Sequence, residues 1–226
     1  ALQPFTAYEL RFAAGTVIDA GGNSLAAGLQ GSFRTQAVPA VYSFFAVAFS
    51  AAPGVTYMDQ VSSAMNAGAS LLQVVEAFTT KTQFTSLYPT TLSNHDFAGQ
   101  LVARVVGASA STAVKTQAIK DIEGVLDMGV SRGRMIYQVF GNLASKPVSD
   151  PEWGGTAQQF QNQLTVARYF TEIMARDTTD LKILQSVISG IGPTTDLSSE
   201  DKIVALIGVA TGNSGLPMGF GPDGGP

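Results

Sequence analysis

The feature that most constrains this chain is a helix joint that occurs twice. In NAGASLLQVVEAF (66–78), Gly68 closes one apolar-periodic segment and Ser70 opens the next. Glycine enters the left-handed conformation that ends a helix, and a serine oxygen caps the free N–H groups of a new one. About sixty residues later, Gly129 and Ser131 followed by RMIYQVF repeat the joint. The segments before each joint also match in order: a buried helix, an amphipathic helix, glycine, a serine cap, and an apolar helix closing in phenylalanine. A chain that repeats such a unit is committed to helices packed on helices.

The first round, 40–90, opens with AVYSFFAVAF, apolar on every face and therefore a buried helix ended by Pro53-Gly54. Val55, Met58, Val61 and Met65 then form one stripe. The second round, 93–145, places Phe97, Leu101 and Val105 on one line, with Asn94 or Asp96 as the expected cap, and continues through Val114, Ile119, Ile122 and Leu126. A closing part, 156–211, carries Phe160, Leu164, Ala167 and Ile173 as a buried stripe, then two helices capped by Asp180 and by Ser198 or Ser199. The segment 1–39 reads as partly loop, with Phe5 to Ala14 as a short apolar piece capped by Thr6 and a turn at Gly21-Gly22-Asn23. Residues 212–226 are Gly/Pro-rich and read as a flexible tail. The expected fold is all-α, about eight or nine short helices in a repeat-like bundle, with a minor β element near 16–33.

Composition narrows the function classes. Only 13% of the 226 residues are charged, against about 25% in ordinary domains. A surface of Ser, Thr, Gln, Asn, Gly and Ala suits packing against copies of itself, because little charge must be desolvated. Thirteen scattered Lys and Arg and a net charge of −4 do not supply the basic patch of a nucleic-acid binder. Cysteine is absent, which removes disulfides, thiol nucleophiles and cysteine metal sites and fits an exported protein. No run reaches the ~18 apolar residues of a membrane span; the longest, Val38 to Ala52, is interrupted by Pro39, Ser43 and Ser50. The N-terminus shows no basic-then-apolar signal, so a signal peptide is either absent or already removed.

Residues with chemical potential are few. His95 stands alone in SNHDF and lacks a second histidine for a metal. Glu123 and Asp127, four apart, share a helix face and could hold a cation; ordinary helix support, with Lys120 reaching Glu123, is the favoured alternative. Arg132 and Arg134 at a helix start could take an anionic sugar or phosphate. Trp153, in the loop SDPEWGG, could stack on a sugar ring or fold over the edge of the core. No phosphate loop, nucleophile elbow or HExxH occurs, and no catalytic residue is assigned.

The first round, from Tyr42 through Ala52-Pro53-Gly54, Tyr57, Gly68, Ser70-Leu71 and Phe78 to Gln83-Phe84, resembles the helical repeat of formally unknown function found in bacterial surface-layer (S-layer) proteins and RTX-type calcium-binding exoproteins. The second round resembles another copy through Gly107, Gly129 and Ser131-Arg132-Gly133, and FQNQLTVARYFTEIM resembles the segment that closes such domains. The likeness spans about Ala40 to Val209. Ser50-Ala51 replaces the family's Gly-Arg, Tyr57 or Met58 its Trp, and Gln83 its Glu. The resemblance implies a secreted, non-enzymatic structural protein of the bacterial cell surface, an S-layer-like subunit or anchoring domain that self-assembles and binds lipopolysaccharide or another glycan. Calcium is the one cofactor it raises, although the calcium-binding repeats that usually come after such a domain are missing here. The alternative is a monomeric glycan- or lipid-binding module of an adhesin, with Trp153, Tyr57, Arg132 and Arg134 as glycan contacts; Glu123 and Asp127 are the separate candidates for a metal.

Overall fold

A computed structural model describes residues 2–24 and 26–210; the expected tail, 212–226, lies outside them. The described residues form ten α-helices and one two-stranded antiparallel sheet. The fold is thus helical with a minor β element, as the pattern predicts, and one helix richer than expected, because KTQFTSLY forms a short helix of its own.

The helix α1 (Pro39–Phe49) is the centre of the core. It carries no charge, and every residue from Val41 to Phe49 is buried. Pro39 starts it at a position whose missing N–H costs nothing. It ends at Ser50, which is left-handed with φ 52°, earlier than the expected stop at Pro53-Gly54. That pair opens α2 (Gly54–Asn66) instead, where Gly54 takes φ 65° and α2 turns away from α1 by 118°. No single helix among the described residues is long and apolar enough to cross a membrane.

The first joint is built as the sequence predicts. Gly68 has φ 100°, and Ala69 N–H donates to the Ala64 carbonyl (3.1 Å), closing α2. Ser70 then starts α3 (Leu71–Phe78) with a reciprocal capping box: its Oγ accepts from Gln73 N–H (3.3 Å) while Gln73 Oε1 accepts from Ser70 N–H (2.8 Å). After α4 (Thr82–Leu87), the second round runs through α5 (Asn94–Val105), α6 (Thr112–Asp127) and α7 (Arg132–Ser145). Ser93, rather than Asn94 or Asp96, caps α5 by accepting from Asp96 N–H at 3.0 Å. Gly129 has φ 86°, and Ser131 caps α7.

The two rounds share helix order but not packing. Within the second, α5 lies along α6, whereas α1 and α2 diverge. The joints themselves meet: α3 packs on α7, and Ser131 Oγ donates to Glu76 Oε1 (3.1 Å).

The closing part holds α8 (Gly154–Arg168), α9 (Leu181–Ser189) and α10 (Glu200–Ala210). Asp180 caps α9 as expected (Lys182 N–H, 2.8 Å). In α8 the predicted stripe shifts: Phe160 and Ala167 are buried, but Ile173 is exposed and Phe170 takes the core position. At 3.6 residues per turn Phe170, three beyond Ala167, stays near the buried face and Ile173, six beyond it, leaves that face; the chain there winds as a π-helical turn, Tyr169–Ile173.

The largest departure is at the N-terminus. Phe5 to Ala14, expected to be capped by Thr6, is instead strand β1 (Ala7–Phe12), paired with β2 (Leu29–Arg34). The β element therefore begins before residue 16. Period-two alternation in AYELRF sets it: Tyr8, Leu10 and Phe12 fall on one face and Glu9 and Arg11 on the other. The predicted turn sits inside the long connection, where Asp19 Oδ1 accepts from Gly21 and Asn23 N–H (2.9 Å each). Phe5 and Arg34 anchor the hairpin on the helical body, with Asn66 Nδ2 donating to Thr6 Oγ1 (3.5 Å) beside them. Phe5 is buried in the core, and Arg34 lies over its ring (4.5 Å) while donating to Asp59 (2.6 Å).

Candidate functional site

An apolar cleft of about 350 Å³ opens between α5, α6 and α7. Its lining is mostly apolar, among it Val102, Ile122, Met135, Val139 and Trp153, with Lys146 among its polar residues. Trp153 owes its place to the turn before α8. Asp150 Oδ1 accepts from the N–H groups of Trp153 (2.8 Å) and Glu152 (2.9 Å). Those two bonds, the one from Trp153 first, hold the Asp150 carboxyl below its usual pKa. Gly154 is required beside it, because a Cβ there would meet the Val148 carbonyl oxygen at 2.3 Å. The indole is half-buried against the core and faces the cleft, so both sequence readings of Trp153 describe part of its position. Such a cleft has the size and lining to hold an apolar group with a polar end at its rim.

The other three residues expected to contact glycan are not gathered around it. Tyr57 lines a separate cleft of about 340 Å³ with Phe45, Phe78 and Lys81, its hydroxyl donating to the Thr179 carbonyl (3.4 Å). The Arg132 guanidinium is already engaged: it donates to the carbonyls of Pro89 (3.0 Å) and Leu92 (2.7 Å) and stacks over Phe97 (4.8 Å). It ties α7 to the segment joining the two rounds and lines neither cleft. Arg134 is exposed, two positions further along α7, and its backbone N–H is taken by the Ser131 cap.

Glu123 and Asp127 do share a face, but they grip the first turn of α5. Glu123 Oε2 lies 2.8 Å from His95 Nδ1, and Asp127 Oδ1 accepts from Asn94 Nδ2 (2.8 Å). The partner of Glu123 is thus His95 rather than Lys120. Among the described residues, no group of three or more His, Cys, Asp or Glu side chains is placed to hold a metal ion.

The hydrogen bond to Glu123, then its charge, raises the His95 pKa above 6.5. The folded state therefore binds this proton more tightly than the unfolded chain. Its stabilisation is complete below pH 6.5 and is lost as pH rises through the folded value. Denaturant unfolding of the wild type across about pH 6 to 8 is expected to show stability falling with pH, and His95→Gln is expected to flatten that slope. An unchanged slope in the variant would assign the pH dependence elsewhere.

A further, polar cleft of about 770 Å³ had no signal in the sequence. Ser50 beyond α1, Arg104 of α5 and the α8 pair Gln159 and Gln163 come to it, together with the turn Gly190–Pro193. It adjoins the Trp153 cleft through one loop: Val106 lines the apolar side, and Gly107 to Ser109 line the polar side.

No family model, curated protein or solved structure matches the chain.

Proposed function

We propose that this is a non-enzymatic structural protein of a bacterial surface, secreted and built to assemble with copies of itself in the manner of an S-layer subunit or anchoring domain. One observation carries the reading: an apolar sheet face stands open to solvent. Leu10, Phe12, Leu29 and Phe33 are 50%, 42%, 57% and 39% exposed, all on the same side of a two-stranded ribbon. An isolated hairpin is marginal in water, and a contiguous apolar patch of this kind belongs to an interface. The weakly charged surface supports the same reading. Lipopolysaccharide or another surface glycan is the proposed anchor, and calcium the proposed ion of assembly.

Light scattering and electron microscopy of the purified chain, with and without calcium and lipopolysaccharide, test this. The expected result is particles well above the 23.5 kDa of one copy. A strict monomer indifferent to both additives would overturn it.

The Trp153 cleft supports the second reading, a monomeric glycan- or lipid-binding module. That reading expects lipopolysaccharide to shift the emission of the single tryptophan without a change in mass, and Trp153→Ala to abolish binding.

A further inference from the structure

The assembly reading leaves open which surface meets which, and the sheet answers it. We propose that β1 pairs antiparallel with β1 of a second copy, centred on Leu10, to give a four-stranded sheet ordered β2–β1–β1–β2. This rests on the proposal that the chain self-assembles, and it makes a narrower claim that can fail alone.

Among the described residues the sheet has two strands, and each keeps one open edge. An open edge is a template for another strand unless the sequence blunts it. Neither proline nor lysine interrupts β1, and its register with β2 runs unbroken from Ala7 to Phe12. The β2 edge is the poorer template: Gly31 weakens its middle, and Arg34 is held by Asp59.

Charge then selects the register. A twofold antiparallel pair about Leu10 sets Glu9 opposite the second copy's Arg11, Arg11 opposite its Glu9, and Tyr8 opposite its Phe12. Centring on Glu9 or on Arg11 would set that charge against itself, which is unfavourable. Slipping by a single residue would put Leu10 opposite a charge and mix the two faces. Centres further out shorten the ladder. In a single copy, Glu9 pairs with Arg11 along the strand (2.6 Å) through one carboxylate oxygen and accepts from Gln30 Nε2 with the other, and the Arg11 side chain is 72% exposed, so the Glu9–Arg11 contact can be traded for one across the new interface while Gln30 keeps its bond.

The Leu10 register also merges the two apolar faces. Tyr8, Leu10, Phe12, Leu29 and Phe33 of both copies line one side of a four-stranded sheet, past the minimum of three strands for independent stability. Glu9, Arg11, Gln30 and Ser32 remain together on the other side.

Sedimentation of the full chain tests this with two charge variants. Glu9→Arg and Arg11→Glu, each alone, set like charges across both symmetric pairs and are expected to weaken self-association about tenfold. An equimolar mixture of the two is expected to recover it, because each changed strand then faces its opposite. The chain contains no cysteine, so Leu10→Cys gives a clean second readout. Opposed residues lie about 4.5–5.5 Å apart between Cα atoms, within disulfide range. Mild oxidation is expected to link the copies through Leu10→Cys and not through Gln30→Cys. If the wild type assembles while the charge variants match it, or while Leu10→Cys stays unlinked, the β1 pairing is wrong and the assembly reading survives. If the wild type remains monomeric at every concentration, both fall.

Discussion

Phe44→Ala is expected to lower unfolding free energy by about 4 kcal/mol, within the range for emptying a buried phenylalanine site. Phe44 has no exposed surface and lies at the meeting point of both rounds. Its ring is 5.7 Å from Phe78, the last residue of α3, and 6.5 Å from Phe140 of α7, which runs five residues further to Ser145. Phe45 and Phe49 of α1 complete the cluster at 5.0 and 5.7 Å. Deleting the ring removes its transfer energy and leaves a cavity that the walls can fill only by moving. Those walls are constrained, because α3 and α7 are in close contact and bridged by Ser131 and Glu76. Urea unfolding should show a lower midpoint with an unchanged slope, the sign of lost stability without lost cooperativity. A loss below about 1 kcal/mol would mean that the joints do not converge on this ring.

The convergence explains how much of the fold the sequence carried. Caps and stops were legible because they are local: Gly68, Ser70, Gly129, Ser131 and Asp180 each act on backbone groups within a few residues. The uncharged α1 was legible because a helix apolar all round can only be buried. Two local readings still missed by a few residues, since α1 stops at Ser50 before Pro53-Gly54 and Ser93 caps α5; the larger failures were nonlocal. β1 is a six-residue alternation whose partner lies beyond a long glycine-bearing connection, so its period competes poorly with loop signals. The π-helical turn at Tyr169–Ile173 leaves no residue-type signature. Arg132 shows the limit for sites. Its charge and helix position suit an anion, yet carbonyls forty and more residues upstream take its donors, and no local pattern reports that. Trp153 was legible as a residue of interest, but its cleft is assembled from α5, α6 and α7 and exists only after folding.

The recurring joint carries one more residue whose role only packing reveals, and Gly133→Val should expose it with a loss of about 3 kcal/mol, at the upper end for overpacking a filled site. A Cβ at this position would lie 2.9 Å from Glu76 Cα and 2.9 Å from Thr79 Oγ1. The first of these is backbone and has no rotamer to yield. Valine adds two methyl groups beyond that Cβ, so α7 must part from α3. Parting them strains the Ser131–Glu76 bond and draws Phe78 and Phe140 away from Phe44. Gly141, further along α7, supplies the contrast, since its Cβ position meets nothing within 4 Å and it is exposed. Gly141→Ala should therefore gain about 0.5–1 kcal/mol from helix propensity alone. Thermal or denaturant melts of the two variants should move in opposite directions from the wild type. Equal small shifts would show α3 and α7 to be loosely apposed, and the glycine at 133 would then be helix composition rather than the contact that lets the two joints close on each other.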